Sequence, residues 1–187
     1  MEINRDEIVR LTEEYGDAWG INHTRRLLSL IAQISDGQRY DQDTLWVAAH
    51  LHDWGGYSPW LQADVDHALR SRQVAETFLS ERNYPGDQAA LILECIEFHH
   101  SPDPARRLEA ILLCDADALD FLGVVGVLRD FSKNAKDLKR AFEITKKRRA
   151  ALPGKLILET SREVAVQRIA RMDDLFAAFE EETFGCF

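Results

Sequence analysis

The chain has 187 residues, of which 45% are hydrophobic and 29% are charged, and this composition is ordinary for one globular domain with a buried core. The formal net charge of −9 argues against broad binding to nucleic acid, which is itself a polyanion. No apolar run approaches the roughly 20 residues that span a bilayer, and the charged N-terminus lacks the apolar core of a signal peptide. The three cysteines have no C-x-x-C spacing, as is typical of free thiols in a reducing compartment. We therefore expect one cytoplasmic domain, residues 1–187, with neither a membrane nor a nucleic acid as partner.

Apolar residues recur at helical spacing through the first half of the chain. Asn22 is expected to cap the second helix and Asp41 or Asp43 the third, because short polar side chains accept hydrogen bonds from free N–H groups at a helix start. The third helix is expected to end at His52-Asp53, before two glycines. The predicted helices of this half span residues 5–16, 22–34, from the cap at 41 or 43 to 53, about 63–82 and 88–99.

The second half follows the same pattern, with predicted helices over about 105–122, 124–133, 136–151 and 161–181. The apolar run 156–158 is too short to assign, and the alternating runs typical of strands are absent. Gly123 and Gly126 follow a helix and not a strand, so they are interpreted as a close-packed helix junction rather than a phosphate-binding loop. These patterns predict an all-α fold.

The dipeptide His52-Asp53 sets an imidazole beside a carboxylate at a predicted helix end. Neighbouring helical residues point about 100° apart, so both side chains can reach one point only where the helix stops. A neutral imidazole with a carboxylate suits a divalent metal such as Mn²⁺, Fe²⁺ or Zn²⁺. Taken alone the pair is weak evidence, because a single helix-end histidine is more often a cap or a partner of the helix dipole.

Other polar residues strengthen the case for a metal site. Further histidines fall at or near predicted helix ends, namely His23, His67, His99 and His100. His50 points to a different helix face from His52 and is interpreted as structural. Asp115, Asp117 and Asp120 cannot all face solvent on an otherwise apolar helix, so at least one is expected to point inward, toward a metal or a base.

The order His23, His52-Asp53, Asp117 resembles the H…HD…D signature of the HD superfamily of metal-dependent phosphohydrolases. Residues 48–55 (AAHLHDWG) are similar to the small apolar run that leads into the family's HD-x-G. Residues 115–129 resemble the D-A-D-x-L-D…G-x-x-G-x-x-R block of its small bacterial members. The resemblance implies a single-domain, HD-type helical bundle.

The resemblance covers about residues 20–130, and residues 131–187 would form a helical C-terminal extension. It implies one or two divalent ions, of Mn, Fe, Zn, Mg or a similar metal. The implied ligands are, in chain order, His23, His52, Asp53, His67, His99, His100 and Asp117. The four signature residues would hold the first ion. His67 and His99 match two further histidines of the family's binuclear branch, and His100 would either bind an ion or hydrogen-bond to a residue that does. Asp53 would bridge two ions, and the implied catalytic residues are Asp53, Asp117 and His99.

A divalent ion generates hydroxide at neutral pH and polarises a phosphoryl oxygen. The implied reaction is therefore the cleavage of a phosphoester or phosphoanhydride bond in a small phosphorylated substrate, preferably a nucleotide. Arg26, Arg129 and Lys133 are candidates to hold its phosphates, although a surface ion pair suits Arg129 equally well. Many family members carry a lysine shortly after the HD pair, whereas this chain has Trp54-Gly55-Gly56-Tyr57, so the source of positive charge there is open.

Three features have two interpretations each. The basic segment 133–149 is either a solvated helix face or an anion-collecting wall beside the metals, and both can hold. Trp54, Tyr57 and Trp60 are either core or a stacking surface for a base. Cys114 lacks an activating base in the sequence pattern and is interpreted as buried filler rather than a nucleophile.

Two other functions are consistent with the same motifs. The first is an HD-type di-iron oxygenase. Oxygen consumption that depends on bound iron would indicate this function. The second is a non-catalytic helical binding module that kept the fold, which a metal-free protein without turnover would indicate.

Overall fold

The computed structural model describes residues 4–187, and these form eight α-helices and two single turns of 3₁₀ helix, with no strand among them. The helices are α1 (Arg5–Ile34), α2 (Gln42–Leu51), α3 (His67–Glu81), α4 (Gly86–Glu97), α5 (Leu108–Phe121), α6 (Val124–Lys133), α7 (Leu138–Ala151) and α8 (Glu159–Glu182). The 3₁₀ turns are Trp54–Gly56 and Pro153–Lys155. The helices share one hydrophobic core, so the prediction of a single all-α domain is confirmed.

Helix α1 is one long element with a break at Asp17, where φ is 53° and ψ is −168°. The prediction that Asn22 caps a separate helix is wrong, because the helix resumes directly after Asp17 and Asn22 is an exposed residue inside it. Gly20, two residues before Asn22, packs closely against Tyr57, since a Cβ there would lie 2.4 Å from the Tyr57 hydroxyl. His23 therefore lies within a helix and not at its first turn.

Helix α2 begins and ends as predicted. The carboxylate of Asp41 accepts a hydrogen bond from the Thr44 N–H at 2.9 Å, and the last helical residue is Leu51, so His52-Asp53 lies directly at the C-terminal end. The glycine that follows is forced by packing, because a Cβ on Gly55 would lie 2.3 Å from the backbone of α3.

Helix α3 is shorter than predicted, and helix α4 has the predicted length but begins and ends two residues earlier. Helix α3 starts at His67 rather than near residue 63, because its cap is Asp66, whose carboxylate accepts from the N–H groups of Ala68 and Leu69. Helix α4 ends at Glu97, so the two histidines at 99 and 100 lie in the turn that follows it. Both changes place histidines at helix termini.

Helix α5 is the centre of the fold, and every residue from Ala110 to Asp120 is buried. It packs against α1, α2, α4, α6 and α8. Its junction with α6 is close, as predicted, because a Cβ on Gly126 would lie 2.0 Å from the Phe121 carbonyl oxygen. The Gly123 backbone has φ of 104°, a conformation that favours glycine.

The apolar run 156–158 is an extended segment and not a strand. Its direction is set by Asp115, a buried carboxylate on α5 that accepts hydrogen bonds from the N–H groups of Ile157 and Leu158. Among the described residues, no helix combines the length with the apolar character needed to cross a bilayer. The three cysteines are free, two of them buried and Cys186 exposed.

Candidate metal centre

Five helices deliver the predicted ligand residues to one place. His23 comes from α1, His52-Asp53 from the end of α2, His67 from the start of α3, the pair His99-His100 from the turn after α4, and Asp117 from α5. Within the described residues, their donor atoms form two groups that could each hold an ion. The contacts between the side chains show how the two groups adjoin.

The first cluster consists of His23, His52 and Asp53, with Asp117 beside them. The Nε2 atoms of His23 and His52 lie 3.3 Å apart. Asp53 Oδ2 lies 3.8 Å from His23 Nε2 and 3.4 Å from His52 Nε2. Asp117 Oδ1 lies 3.1 Å from His23 Nε2. Two imidazole nitrogens and two carboxylate oxygens therefore point at a common region.

The second cluster consists of His67, His99 and His100. The Nε2 atoms of His67 and His100 are 2.8 Å apart. This cluster is more open than the first, because the side chains of His67 and His100 are 39% and 42% exposed whereas those of His23 and His52 are 2% and 1% exposed.

The two carboxylates lie between the clusters. Asp53 turns Oδ2 toward the first cluster and Oδ1 toward His67, whose Nε2 is 3.8 Å away. Asp117 turns Oδ1 toward His23 and Oδ2 toward His100, whose Nδ1 is 3.2 Å away. Each carboxylate therefore has one oxygen available to each cluster, which is the disposition of a bridging ligand.

Backbone contacts orient the buried rings. His52 Nδ1 lies 2.9 Å from the Ala49 carbonyl and His99 Nδ1 lies 2.6 Å from the Ile96 carbonyl. A carbonyl can only accept, so Nδ1–H donates in both rings and each Nε2 keeps its lone pair. The Nε2 of His99 is buried and has no hydrogen-bond partner among the described residues. A buried acceptor without a partner costs stability unless a ligand satisfies it.

These observations fit a divalent cation. The unpartnered buried His99 Nε2 is an arrangement that a bound cation stabilises. The mixture of imidazole and carboxylate donors suits Zn²⁺, Fe²⁺ or Mn²⁺.

The titration behaviour of the site follows from its burial and its charges. Burial lowers the pKa of His52, and it lowers that of His99 to about 4 with the help of the His52 charge. Burial alone would also lower the pKa of His23, but hydrogen bonds to Asp117 and Asp120 outweigh it and raise the pKa to about 9. Burial would raise the pKa of Asp53, but the neighbouring His52 and His23 hold it at about 2.

Two of the predicted phosphate-binding residues are bound to Asp120. Arg26 Nε lies 2.6 Å from Asp120 Oδ1, and Arg129 Nη1 lies 2.6 Å from Asp120 Oδ2. Arg129 also lines the cavity described below, whereas Arg26 does not. The sequence pattern assigned Asp120 no partner, because both arginines come from other helices.

A cavity of about 540 Å³ opens onto the metal centre. Its lining includes Asp53 and Asp117 and the histidines of the second cluster. Four cationic side chains also line it, namely Arg129, Lys133, Arg148 and Lys155. Arg148 belongs to the basic segment 133–149, whereas sequence reasoning missed Lys155, which a 3₁₀ turn brings to the cavity and which carries no motif.

The basic segment 133–149 divides between the cavity and the outer surface. Lys133 and Arg148 line the cavity. Lys146 and Arg149 instead form exposed ion pairs with carboxylates of α8, the second of them with Asp173 at 2.7 Å.

The aromatic residues after the HD pair divide between core and cavity. Trp54 is fully buried and stacks on Trp60 with ring centroids 4.9 Å apart, and neither ring lines the cavity beside the metal centre. Tyr57 lines the cavity, as do Tyr15, Trp19 and Phe121. Burial, with the nearby Asp53 charge, raises the pKa of Tyr57, so its hydroxyl remains a donor at neutral pH. Cys114 is buried, as predicted, but it also contributes to the cavity lining, and burial raises its pKa to about 12.

The protein is therefore an all-α domain in which two histidine clusters share two carboxylates, and this arrangement is a candidate two-ion centre. The chain belongs to the HD domain family, whose match covers residues 20–122. No curated protein matches the chain significantly.

Solved structures share the fold over nearly the whole chain. A protein described as a predicted HD superfamily hydrolase from an uncultured Thermotogales bacterium is 24% identical, with 95% of this chain and 92% of that one covered and a TM-score of 0.69. Bacillus subtilis YpgQ in complex with ADP is 22% identical, with 95% and 96% covered and a TM-score of 0.70. An HD-superfamily hydrolase from Bacillus thuringiensis is 18% identical, with 97% of each chain covered and a TM-score of 0.71. At these identities the likeness establishes the fold.

Proposed function

We propose that this protein is a metal-dependent phosphohydrolase, which cleaves a phosphoester or phosphoanhydride bond in a small phosphorylated substrate, preferably a nucleotide. The observation that carries the proposal is the presence of four cationic side chains in the same cavity as the imidazole–carboxylate centre. In a chain with a net charge of −9, cations gathered beside metal ligands favour an anionic substrate.

The ions would be held by the seven residues of the two clusters and their shared carboxylates. When bound, divalent ions supply a nucleophilic hydroxide and stabilise charge on the phosphoryl oxygens. Asp53 is ionised at neutral pH, since its pKa is held at about 2, and it orients the attacking water by accepting a hydrogen bond. His99 keeps an unprotonated Nε2, since its pKa is lowered to about 4, so it acts as a ligand or a proton acceptor and not as an acid.

The cationic residues would bind the phosphates. Lys133 and Lys155 have no carboxylate within ion-pair distance among residues 4–187, so both ammonium groups are available to an anion. Burial and the charges of Arg129 and Arg148 lower the pKa of Lys133, an effect that a bound phosphate would offset. These residues would supply the positive charge that many family members take from a lysine after the HD pair.

The aromatic lining would bind the remainder of the substrate. Trp19 lines the cavity and is 41% exposed, and the Lys133 ammonium lies over its ring at 5.2 Å from the centroid. A planar base can stack on such a ring. The ADP complex of the relative YpgQ supports a nucleotide as the ligand class.

The test is a turnover screen on protein whose metal content has been measured. Chelator-treated protein is reloaded with Mn²⁺, Fe²⁺ or Zn²⁺ and offered nucleoside mono-, di- and triphosphates and an aryl phosphate, with phosphate and pyrophosphate release recorded. We expect metal-dependent release, abolished in Asp53→Ala and retained in Asp64→Ala, an exposed carboxylate outside the cavity. Equal turnover by Asp53→Ala would refute the assignment of the site. Iron-dependent oxygen consumption without phosphate release would refute the proposed hydrolase function and favour the di-iron oxygenase.

A further inference from the structure

Asp120 is a buried carboxylate, 1% exposed, that lies directly behind the metal centre. Its Oδ2 lies 2.8 Å from His23 Nδ1, on the side of the ring opposite to the Nε2 that faces His52. A carboxylate on the far nitrogen of an imidazole fixes the ring orientation and the tautomer and raises the basicity of the other nitrogen.

His23 differs in this respect from the other buried histidines of the centre. The Nδ1 atoms of His52 and His99 donate to backbone carbonyls, at 2.9 Å and 2.6 Å. His23 donates to an ionised side chain that is itself held by further donors. In the second cluster, His100 Nδ1 lies 3.2 Å from Asp117 Oδ2, but that imidazole is 42% exposed and its carboxylate partner is itself one of the candidate ligands.

Two arginines hold Asp120 in place. Arg26 donates from Nε to Oδ1 at 2.6 Å and from Nη2 to Oδ2 at 2.9 Å, and Arg129 donates from Nη1 to Oδ2 at 2.6 Å. The Arg129 guanidinium is in turn held between the rings of Trp19 and Phe121, at 4.5 Å and 4.3 Å. The Asp120 carboxylate therefore accepts four hydrogen bonds, three from residues of α1 and one from α6, and these fix its orientation and that of His23.

We infer that Asp120 is a positioning residue for His23, and that its clamp by Arg26 and Arg129 makes the first cluster the tighter of two ion sites. The inference rests on the proposed metal centre. It assigns Arg26, and the Nη1 group of Arg129, to the support of a ligand rather than to phosphate binding. The partners behind metal ligands typically change metal affinity by about 10–100-fold.

The experiment is a calorimetric titration of chelator-treated protein with Mn²⁺ alone, with no substrate present. We expect two binding steps in the wild type, and a tighter step that is about 10–100-fold weaker in Asp120→Asn, with the weaker step unchanged. The control is Asp115→Asn, which removes an equally buried carboxylate from the same helix whose partners are the N–H groups of residues 157 and 158. It should lower thermal stability and leave both steps unchanged.

A second variant covers the case in which Asp120→Asn fails to fold because the buried Arg129 and the half-buried Arg26 lose their counter-charge. The double variant Asp120→Asn with Arg26→Met keeps the summed charge of the cluster and still lacks the carboxylate on His23. It should fold and show the same selective loss of the tight step.

An unchanged tight step in either folded variant would overturn the inference, as would an equal weakening of both steps. Because the titration contains no substrate, a protein that binds Mn²⁺ but hydrolyses nothing would refute the proposed function and leave this test valid.

Discussion

His52 and His23 face each other through their Nε2 atoms at 3.3 Å, although they are 29 residues apart in the chain. His50, only two residues from His52, is equally buried and also has its Nδ1 beside a backbone carbonyl, at 2.8 Å from Trp46. It does not belong to either cluster of donor atoms. His50, in α2, and His52, directly after it, therefore form a matched pair. Both are buried with Nδ1 beside a backbone carbonyl, but only His52 contributes to a cluster of donor atoms.

Replacing His52 by alanine is expected to remove metal, and replacing His50 by alanine is not. The loss of a ligand should exceed the roughly 10–100-fold loss that a partner behind a ligand causes, so His52→Ala should be isolated with much less metal by elemental analysis. His50→Ala should keep its metal and lose stability only. Equal metal content in the two variants would show that the facing nitrogens do not bind an ion.

The cavity lysines are expected to bind substrate while the outer basic residues do not. Lys133→Met should raise KM for a nucleoside triphosphate by about 10- to 150-fold, because a hydrogen bond to a charged group is worth about 1.5–3 kcal/mol. The control is Lys146→Met, since Lys146 pairs with Glu180 at 3.3 Å on the exposed side of α7. Steady-state kinetics on both variants decide the matter, and an equal change in KM would mean that the segment acts only through its overall charge.

The close junction between α5 and α6 is expected to depend on Gly126. In Gly126→Ala the new methyl group would lie 2.0 Å from the Phe121 carbonyl oxygen, and this neighbour is backbone that cannot rotate away. Overpacking costs about 1–3 kcal/mol, which outweighs the gain of about 0.5–1 kcal/mol that alanine brings to a helix. Urea denaturation measures the difference. Gly86→Ala, which meets no atom within 4 Å, is the control and should be neutral or stabilising.

Much of the fold could be predicted because most helices carry local signals. Helix α6 spans the predicted 124–133, and the α2 cap at Asp41 was among the two expected residues. The continuation of α1 through residue 22 could not be predicted, because Gly20 is explained by the ring of Tyr57 from a distant loop. Local composition indicates a break there, and only the tertiary contact shows why glycine is tolerated.

The candidate site divides in the same way. The histidines and aspartates carry a motif whose order is visible in the sequence, and the structure gathers them, while their role as ligands stays a prediction. The clamp on Asp120 and the entry of Arg148 and Lys155 into the cavity carry no motif. Such contacts depend on which helices pack together. The sequence pattern around a charged residue at a helix surface is the same whether its partner is water, a carboxylate or a substrate.

Acid is expected to destabilise the protein through its buried neutral histidines, and His50 allows one contribution to be isolated away from the metal centre. Burial, with a smaller contribution from the Arg5 and Arg25 charges, lowers the pKa of His50 to about 4. An unfolded histidine titrates near 6.5. Between these values the unfolded state binds the proton and the folded state does not, so stability is fully present above about pH 6.5 and is lost as the pH falls toward 4.

The loss attributable to His50 is at most about 3 kcal/mol, because one pKa unit corresponds to about 1.4 kcal/mol. Urea denaturation of metal-free protein at pH 7.5, 6, 5 and 4 should therefore show a steeper fall for the wild type than for His50→Phe, which keeps an aromatic ring where the imidazole lies 3.8 Å from Trp46. His52, His99 and His100 also have lowered pKa values and remain in both proteins, so the variant should still lose stability in acid, but less of it. Parallel pH profiles would mean that His50 takes up its proton in the folded state at little cost, and the burial argument for this residue would then fail.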